Sequence, residues 1–273
     1  MNRRILQLFV ALLAGAASLP AELNPPQIGL VRYSDGAVAS VYGLSGNYIV
    51  RPSSLPPADA LSSSSGGILV SKDGRISLLK VDLSVIADYQ SGEKLPVLNI
   101  DERPESAIAW LPGQQALLYW NARAWTKTPA ITQIGSAHIT SVWRRDLATA
   151  GLLAETPEGA VWDAAIALNS GELTGLTRLP GVRSPAFHSA SYVIFQEGNT
   201  LHLQSPDNSG KTFQLGSDEH VEVTFERLSP EDIHIASKTP GQDWILHVDK
   251  TGSQITELPG KPQTPVPARE VPK

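Results

Sequence analysis

The chain has 273 residues, a net charge of −5, 41% hydrophobic residues and no cysteine. The missing thiol excludes disulfides, thiolate metal sites and a cysteine nucleophile. The net negative charge, with no basic run longer than Arg144-Arg145, argues against nucleic acid and anionic membrane surfaces as partners, because both need basic patches.

The chain opens with Arg3 and Arg4, an apolar run from Ile5 to Ala17, and Ser18-Leu19-Pro20-Ala21. Basic, apolar and small residues in that order predict a cleaved signal peptide over 1–21 and export to the periplasm or the cell exterior. The run is shorter than the roughly 20 apolar residues that cross a bilayer. No later segment is long and apolar enough to span a membrane, so none is expected after cleavage. At the other end, Pro259, Pro262, Pro265, Pro267 and Pro272 predict a disordered tail over 259–273.

Between these ends, strand signals dominate. Short runs rich in Val, Ile, Leu, Tyr and Trp are separated by Gly, Asp, Asn, Ser and Pro. The best helical candidate, Leu83 to Tyr89, is short and β-branched. A Ser-Gly or Thr-Gly turn followed by an apolar strand recurs at Gly46, Gly92, Gly171, Gly210 and Gly252. One degenerate copy is expected near residue 131, filled by Lys127 to Ile134. A second series of hairpin turns centres on Gly36, Gly74, Ala122, Gly159, Gly198 and Gly241. Both series share a period near 40 residues, and glycine suits both because tight turns need positive φ.

A unit of that length with about four strands is a propeller blade, which buries its faces only by stacking around a ring. The sequence therefore predicts an all-β, six-bladed β-propeller over 22–258. Tandem β-sandwiches are the alternative, and the long super-period disfavours them. No strand signal precedes Ile28, so the first blade would have to borrow a strand.

The turns at Asp249-Lys250-Thr251-Gly252 and Asp207-Asn208-Ser209-Gly210 resemble those of bacterial YVTN-type and quinoprotein-like propeller repeats. The resemblance implies the fold and little else. Relationship to quinoprotein dehydrogenases would bring tryptophan docking motifs, a calcium site and often a vicinal disulfide. The chain has no cysteine, and Trp110, Trp120, Trp125, Trp143, Trp162 and Trp244 do not follow the repeat period. No quinone is expected, and the tryptophans read as core packing or an aromatic patch.

Several catalytic motifs are missing. There is no Gly-x-Ser-x-Gly elbow, and serine-rich Ser62 to Gly67 reads as a loop. Gly210-Lys211-Thr212 lacks the leading glycine of a phosphate loop, since position 205 is serine. The histidines His138, His188, His202, His220, His234 and His247 form no metal motif.

Propellers bind ligands where their innermost strands converge. Those strands are expected to begin near Asp59, Arg103, His138, Arg183 and His220, with Asp101, Glu102, Asp218 and Glu219 in the same loops. Gathered at one channel mouth, they could hold an anion, a sugar or a divalent metal, the metal through His138 and His220. No other cofactor is called for. The sequence thus predicts an exported, non-enzymatic propeller that binds a protein, a glycan or a small ligand. The alternative is a secreted hydrolase or lyase acting on a glycan or lactone through Asp101, His138 and His220.

Overall fold

A computed structural model describes residues 25–129, 137–189, 192–206, 209–216, 221–239 and 241–262. The expected signal peptide (1–21), the tail beyond 262, Asp207, Asn208, Asp218, Glu219 and His220 lie outside the described residues.

The described strands form six antiparallel sheets arranged as a six-bladed β-propeller. Blade 1 has three strands, β1 (Gln27–Arg32), β2 (Val38–Leu44) and β3 (Asn47–Pro52). Blade 2 holds β4 (Ala60–Ser64), β5 (Gly67–Lys72), β6 (Arg75–Leu79) and β7 (Val85–Gln90). Blade 3 holds β8 (Val97–Asn99), β9 (Ile108–Leu111), β10 (Ala116–Trp120) and β11 (Trp125–Pro129). Blade 4 comprises β12 (His138–Arg144), β13 (Thr149–Glu155), β14 (Val161–Ala167) and β15 (Leu173–Arg178). Blade 5 comprises β16 (Ala186–Ser189), β17 (Tyr192–Glu197), β18 (Thr200–Gln204) and β19 (Gly210–Gln214). Blade 6 comprises β20 (Val223–Arg227), β21 (Asp232–Ser237), β22 (Asp243–Val248) and β23 (Ser253–Glu257). Each blade pairs its strands in chain order, so every blade is a meander.

Side chains alternate across each strand, so a blade presents an apolar face to each neighbour. Six buried clusters result, one at every blade junction. Leu152 and Leu117 meet between blades 3 and 4, and Leu78 and Leu118 between blades 2 and 3. The junction of blades 6 and 1 has its own cluster, with Ile245 and Leu228 against Val31 and Val41. A sandwich has one core between two sheets; six cores joining the sheets in sequence make a ring.

Blade 1 carries no borrowed strand among the described residues, and β1 itself occupies the innermost place. It runs opposite to the inner strands beside it. Gln27, at its start, borders a cavity with Ser64 and Ser229, just where β4 and β20 end. Arg32, at its finish, borders another with Asp59 and Ala60, where β4 begins. Among the described residues blade 1 therefore lacks the first strand of the repeat, and its second strand stands innermost.

The serine run also departs from expectation. Ser62, Ser63 and Ser64 are buried on β4, the innermost strand of blade 2, and do not form a loop. Their hydroxyls replace the backbone partners that an inner edge strand lacks. The Ile100 N–H donates to Ser62 Oγ at 3.1 Å, and Ser64 Oγ donates to the Asp101 carbonyl. Ser63 Oγ accepts from the Leu30 N–H and donates to the Leu228 carbonyl, both at 3.1 Å. One serine thus ties blade 2 to blades 1 and 6.

Two turn assignments change. Gly92 follows β7 and leads into blade 3; the matching turn of blade 2 is at Asp82–Ser84, with Leu83 at φ 68°. In blade 3 that turn is at Asn121–Ala124, with Ala122 at φ 70°; of the expected segment Lys127 to Ile134, the first three residues end β11 and the rest lies outside the described residues. Ala122 therefore belongs to the first turn series. The second series passes in blade 3 through Pro112–Gln114. The left-handed turn position persists in both blades without glycine, so a glycine search misplaces it. The helical candidate over Leu83 to Tyr89 forms most of strand β7.

Candidate functional site

The channel has two ends with different chemistry. At the end where the inner strands begin, a cavity of about 240 Å³ is bordered by Arg32, Asp59, His138, Phe187, Phe225 and Glu226, among others. At the end where they finish, a larger cavity of about 750 Å³ is bordered by Asp101, Glu102, Arg103, Glu105, Ser106, Arg144, Asp146, Leu147, Arg227 and Pro230.

This geometry divides the expected site. Asp59 and His138 lie at the first end, and Arg183 is exposed on the loop before β16 at that same end. Asp101 and Arg103 lie at the second. The reason is the shortness of blade 3's inner strand. β8 has three residues, so Arg103 follows the innermost strand and does not precede it. Asp101 and His138 border different cavities, so the pairing that a hydrolase would need is not made between them. His138 is mostly exposed and stands 3.8 Å from Glu155. His220 lies outside the described residues.

The residue at the centre of the larger site is Arg227, which sequence reading passed over. It ends β20 and is only 3% exposed. Its Nε donates to Asn99 Oδ1 at 2.9 Å, and Nη2 donates to the His188 carbonyl at 3.4 Å. Asn99 belongs to blade 3, which is diametrically opposite blade 6 in a ring of six. The side chain therefore crosses the channel and closes it, forming the floor of the larger mouth. The guanidinium also lies 5.9 Å from the Phe187 ring centroid. Burial pulls its pKa down, and Asp101 opposes that shift. Asp101 Oδ1 stands 3.6 Å from Nη1, an ionic distance rather than a hydrogen bond, and its side chain is 48% exposed.

The support beneath the floor is aromatic and uncharged. Trp143 stacks on His188 with ring centroids 3.8 Å apart and planes 2° from parallel. Burial, then the charges of Arg227 and Arg145, push the His188 pKa down to about 3, so the ring is neutral at ordinary pH. A neutral ring lets Arg227 remain the cation of the floor.

Arg144 shapes the wall. Its Nη2 donates to the Leu147 carbonyl at 2.8 Å, and its Nε donates to the Asp146 carbonyl at 3.1 Å. The guanidinium also sits 5.2 Å over the Tyr119 ring. These contacts hold out the β12–β13 loop, whose Leu147 is 86% exposed at the rim. The mouth thus combines a buried cation on its floor, a second in its wall, carboxylates around its edge and an apolar tip. Among the described residues, no group of three or more metal-ligating side chains is gathered anywhere.

No protein-family model matches the chain, and no curated protein matches it. Several solved structures are similar in fold. One is PorZ, a bacterial surface component of the type-IX secretion system of Porphyromonas gingivalis, at 15% identity and TM-score 0.47. That similarity covers 84% of this chain but only 30% of the length of PorZ. Virginiamycin B lyase from Staphylococcus aureus is similar at 11% identity and TM-score 0.44, over 88% of this chain and 86% of that one. Hydrazine synthase of Kuenenia stuttgartiensis is similar at 11% identity and TM-score 0.46, over 86% and 80%. None of these similarities bears on ligand or reaction.

Proposed function

We propose that the protein is an exported binding module that takes its ligand at the channel mouth where the inner strands finish. The observation that carries this reading is Arg227, a nearly inaccessible guanidinium that spans the channel and floors a cavity of about 750 Å³. A volume of that size with a few convergent polar groups suits a small ligand or a protruding segment of a larger partner. The rim alternates carboxylates with Arg103 and Arg144, so the ligand is polar and charged. Export rests on the N-terminal order of basic, apolar and small residues. Among the described residues no helix is long and apolar enough to cross a membrane. Neither a reaction nor a cofactor enters this reading.

Thermal melting of the chain from Glu22 onward tests it, with panels of peptides, sugars, organic acids and divalent metals. A ligand at 100 times its dissociation constant adds about 2.7 kcal/mol to stability. The stabilisation should weaken in Arg103→Ser and Glu102→Gln, both exposed on the rim. A ligand whose effect is indifferent to both rim changes, but is lost on changing Asp59 or His138, would move the site to the other end and overturn this reading.

A further inference from the structure

The floor of the mouth has unused capacity. A guanidinium carries five N–H donors. Arg227 spends one on Asn99 and one on the His188 carbonyl, and among the described residues no other hydrogen bond engages it. Its Nη1 lies 3.6 Å from the Asp101 carboxylate, which borders the mouth with it, and among the described residues no other carboxylate pairs with this guanidinium. A buried cation with spare donors beside an open cavity is a built position for an anion, because burial strengthens such a bond when it forms.

The rim narrows the choice of anion. Asp101, Glu102, Glu105 and Asp146 stand around the mouth against Arg103, Arg144 and Arg227. A phosphate, with close to two negative charges, would face four carboxylates. A carboxylate carries one charge, and its planar fork matches the free edge of a guanidinium. Asp101 already places such a group near that edge. The surplus of rim carboxylates favours a ligand that also bears a cation.

We infer that Arg227 receives the free carboxylate of a peptide-like ligand whose own cationic group faces the rim acids. This rests on the binding role proposed above and names the chemistry of its ligand. Asp101 then competes with the ligand for the Nη1 edge.

The test uses the full chain, immobilised and offered two randomised tetrapeptide libraries, one with free carboxyl termini and one amidated. Captured peptides are read by mass spectrometry. Free acids should be enriched over amides on the order of 10-fold or more, as charge-assisted bonds to a buried cation imply. Their sequences should be rich in Lys and Arg. Asp101→Asn should raise capture of the free acids, since it removes the competing carboxylate, with circular dichroism confirming its fold because Asp101 is the counter-charge of a buried guanidinium. Arg227→Gln should abolish the preference, with circular dichroism confirming its fold. Equal capture of acids and amides overturns the inference while leaving a binding mouth in place. So does a loss of capture in Asp101→Asn. No capture above blank resin overturns the inference, while rim-sensitive stabilisation by another ligand class would leave the binding role standing.

Discussion

His234 lies on β21 with no accessible surface, between two carboxylates. Glu226 Oε2 is 3.5 Å from its Nδ1, and Asp243 Oδ1 is 3.4 Å from its Nε2. Arg32 of blade 1 pairs with the other oxygen of Glu226 at 2.6 Å, and the buried Tyr33 ring packs at the same junction. Burial pulls the His234 pKa down, but the two carboxylates at ionic distance, Asp243 and Glu226, outweigh it and hold the ring above its ordinary 6.5. A raised histidine pKa stabilises the fold fully below about 6.5, and that contribution fades as pH rises through the folded value. His234→Gln should therefore cost about 3 kcal/mol at pH 6, because it leaves the buried Asp243 without its cation while Glu226 keeps Arg32. Denaturant melts of both proteins from pH 6 to 9 should show the gap narrowing as pH rises. A gap constant across that range would mean that His234 is neutral in the fold.

At the scale of the strand, β1 does work that no other strand does. It stands innermost in a blade that, among the described residues, has no first strand of the repeat, and its backbone is pressed against the chain of blade 6. A Cβ on Gly29 would lie 2.3 Å from the Leu228 carbonyl oxygen and 2.8 Å from Ser63 Oγ, the atom that bridges blades 1, 2 and 6. Gly29→Ala should cost about 1–3 kcal/mol, as overpacking does. Hydrogen exchange should show the loss as faster exchange in β1 to β3, with blade 4 unchanged. Uniform exchange across all blades would contradict the tight approach.

Much of this scale was legible in the sequence. Hairpins such as Tyr192–Gln196 with Leu201–Gln204 announced themselves by alternation and a glycine turn, and these two segments pair antiparallel as expected. The absence of a strand signal before Ile28 was also real information. Ser62 to Ser64 were not legible, because a buried inner strand held by hydroxyls has the composition of a loop. Leu83 hid its turn for a related reason, and the turn at Ala122 was found but placed in the wrong series. Both adopt the left-handed conformation without the residue type that advertises it.

For the whole molecule, the ring closes without a shared sheet. Blade 1 is built from the N-terminal side of the chain and blade 6 from the C-terminal side, and among the described residues no backbone hydrogen bond joins them. That junction is also rich in charge. His247 meets Asp232 at 2.9 Å and Asp249 at 3.3 Å, while Tyr48 of blade 1 donates to Asp232. The larger mouth depends on this closure, because Arg227 reaches it from blade 6. The site was only partly visible in the sequence. Asp101 and Arg103 were named from their loop, but a lone arginine ending a strand carries no motif. Its meaning comes from the position opposite, which only the ring supplies.

The central claim is that Arg227 spans the channel to Asn99 and floors the mouth. A double-mutant cycle measures this most directly, with denaturant melts of Arg227→Met, Asn99→Leu and the pair together. Two buried partners from opposite blades should couple by at least about 1 kcal/mol, with the double mutant less destabilised than the sum of its parts. Strict additivity would mean that the two side chains do not meet, and that the channel is not closed there.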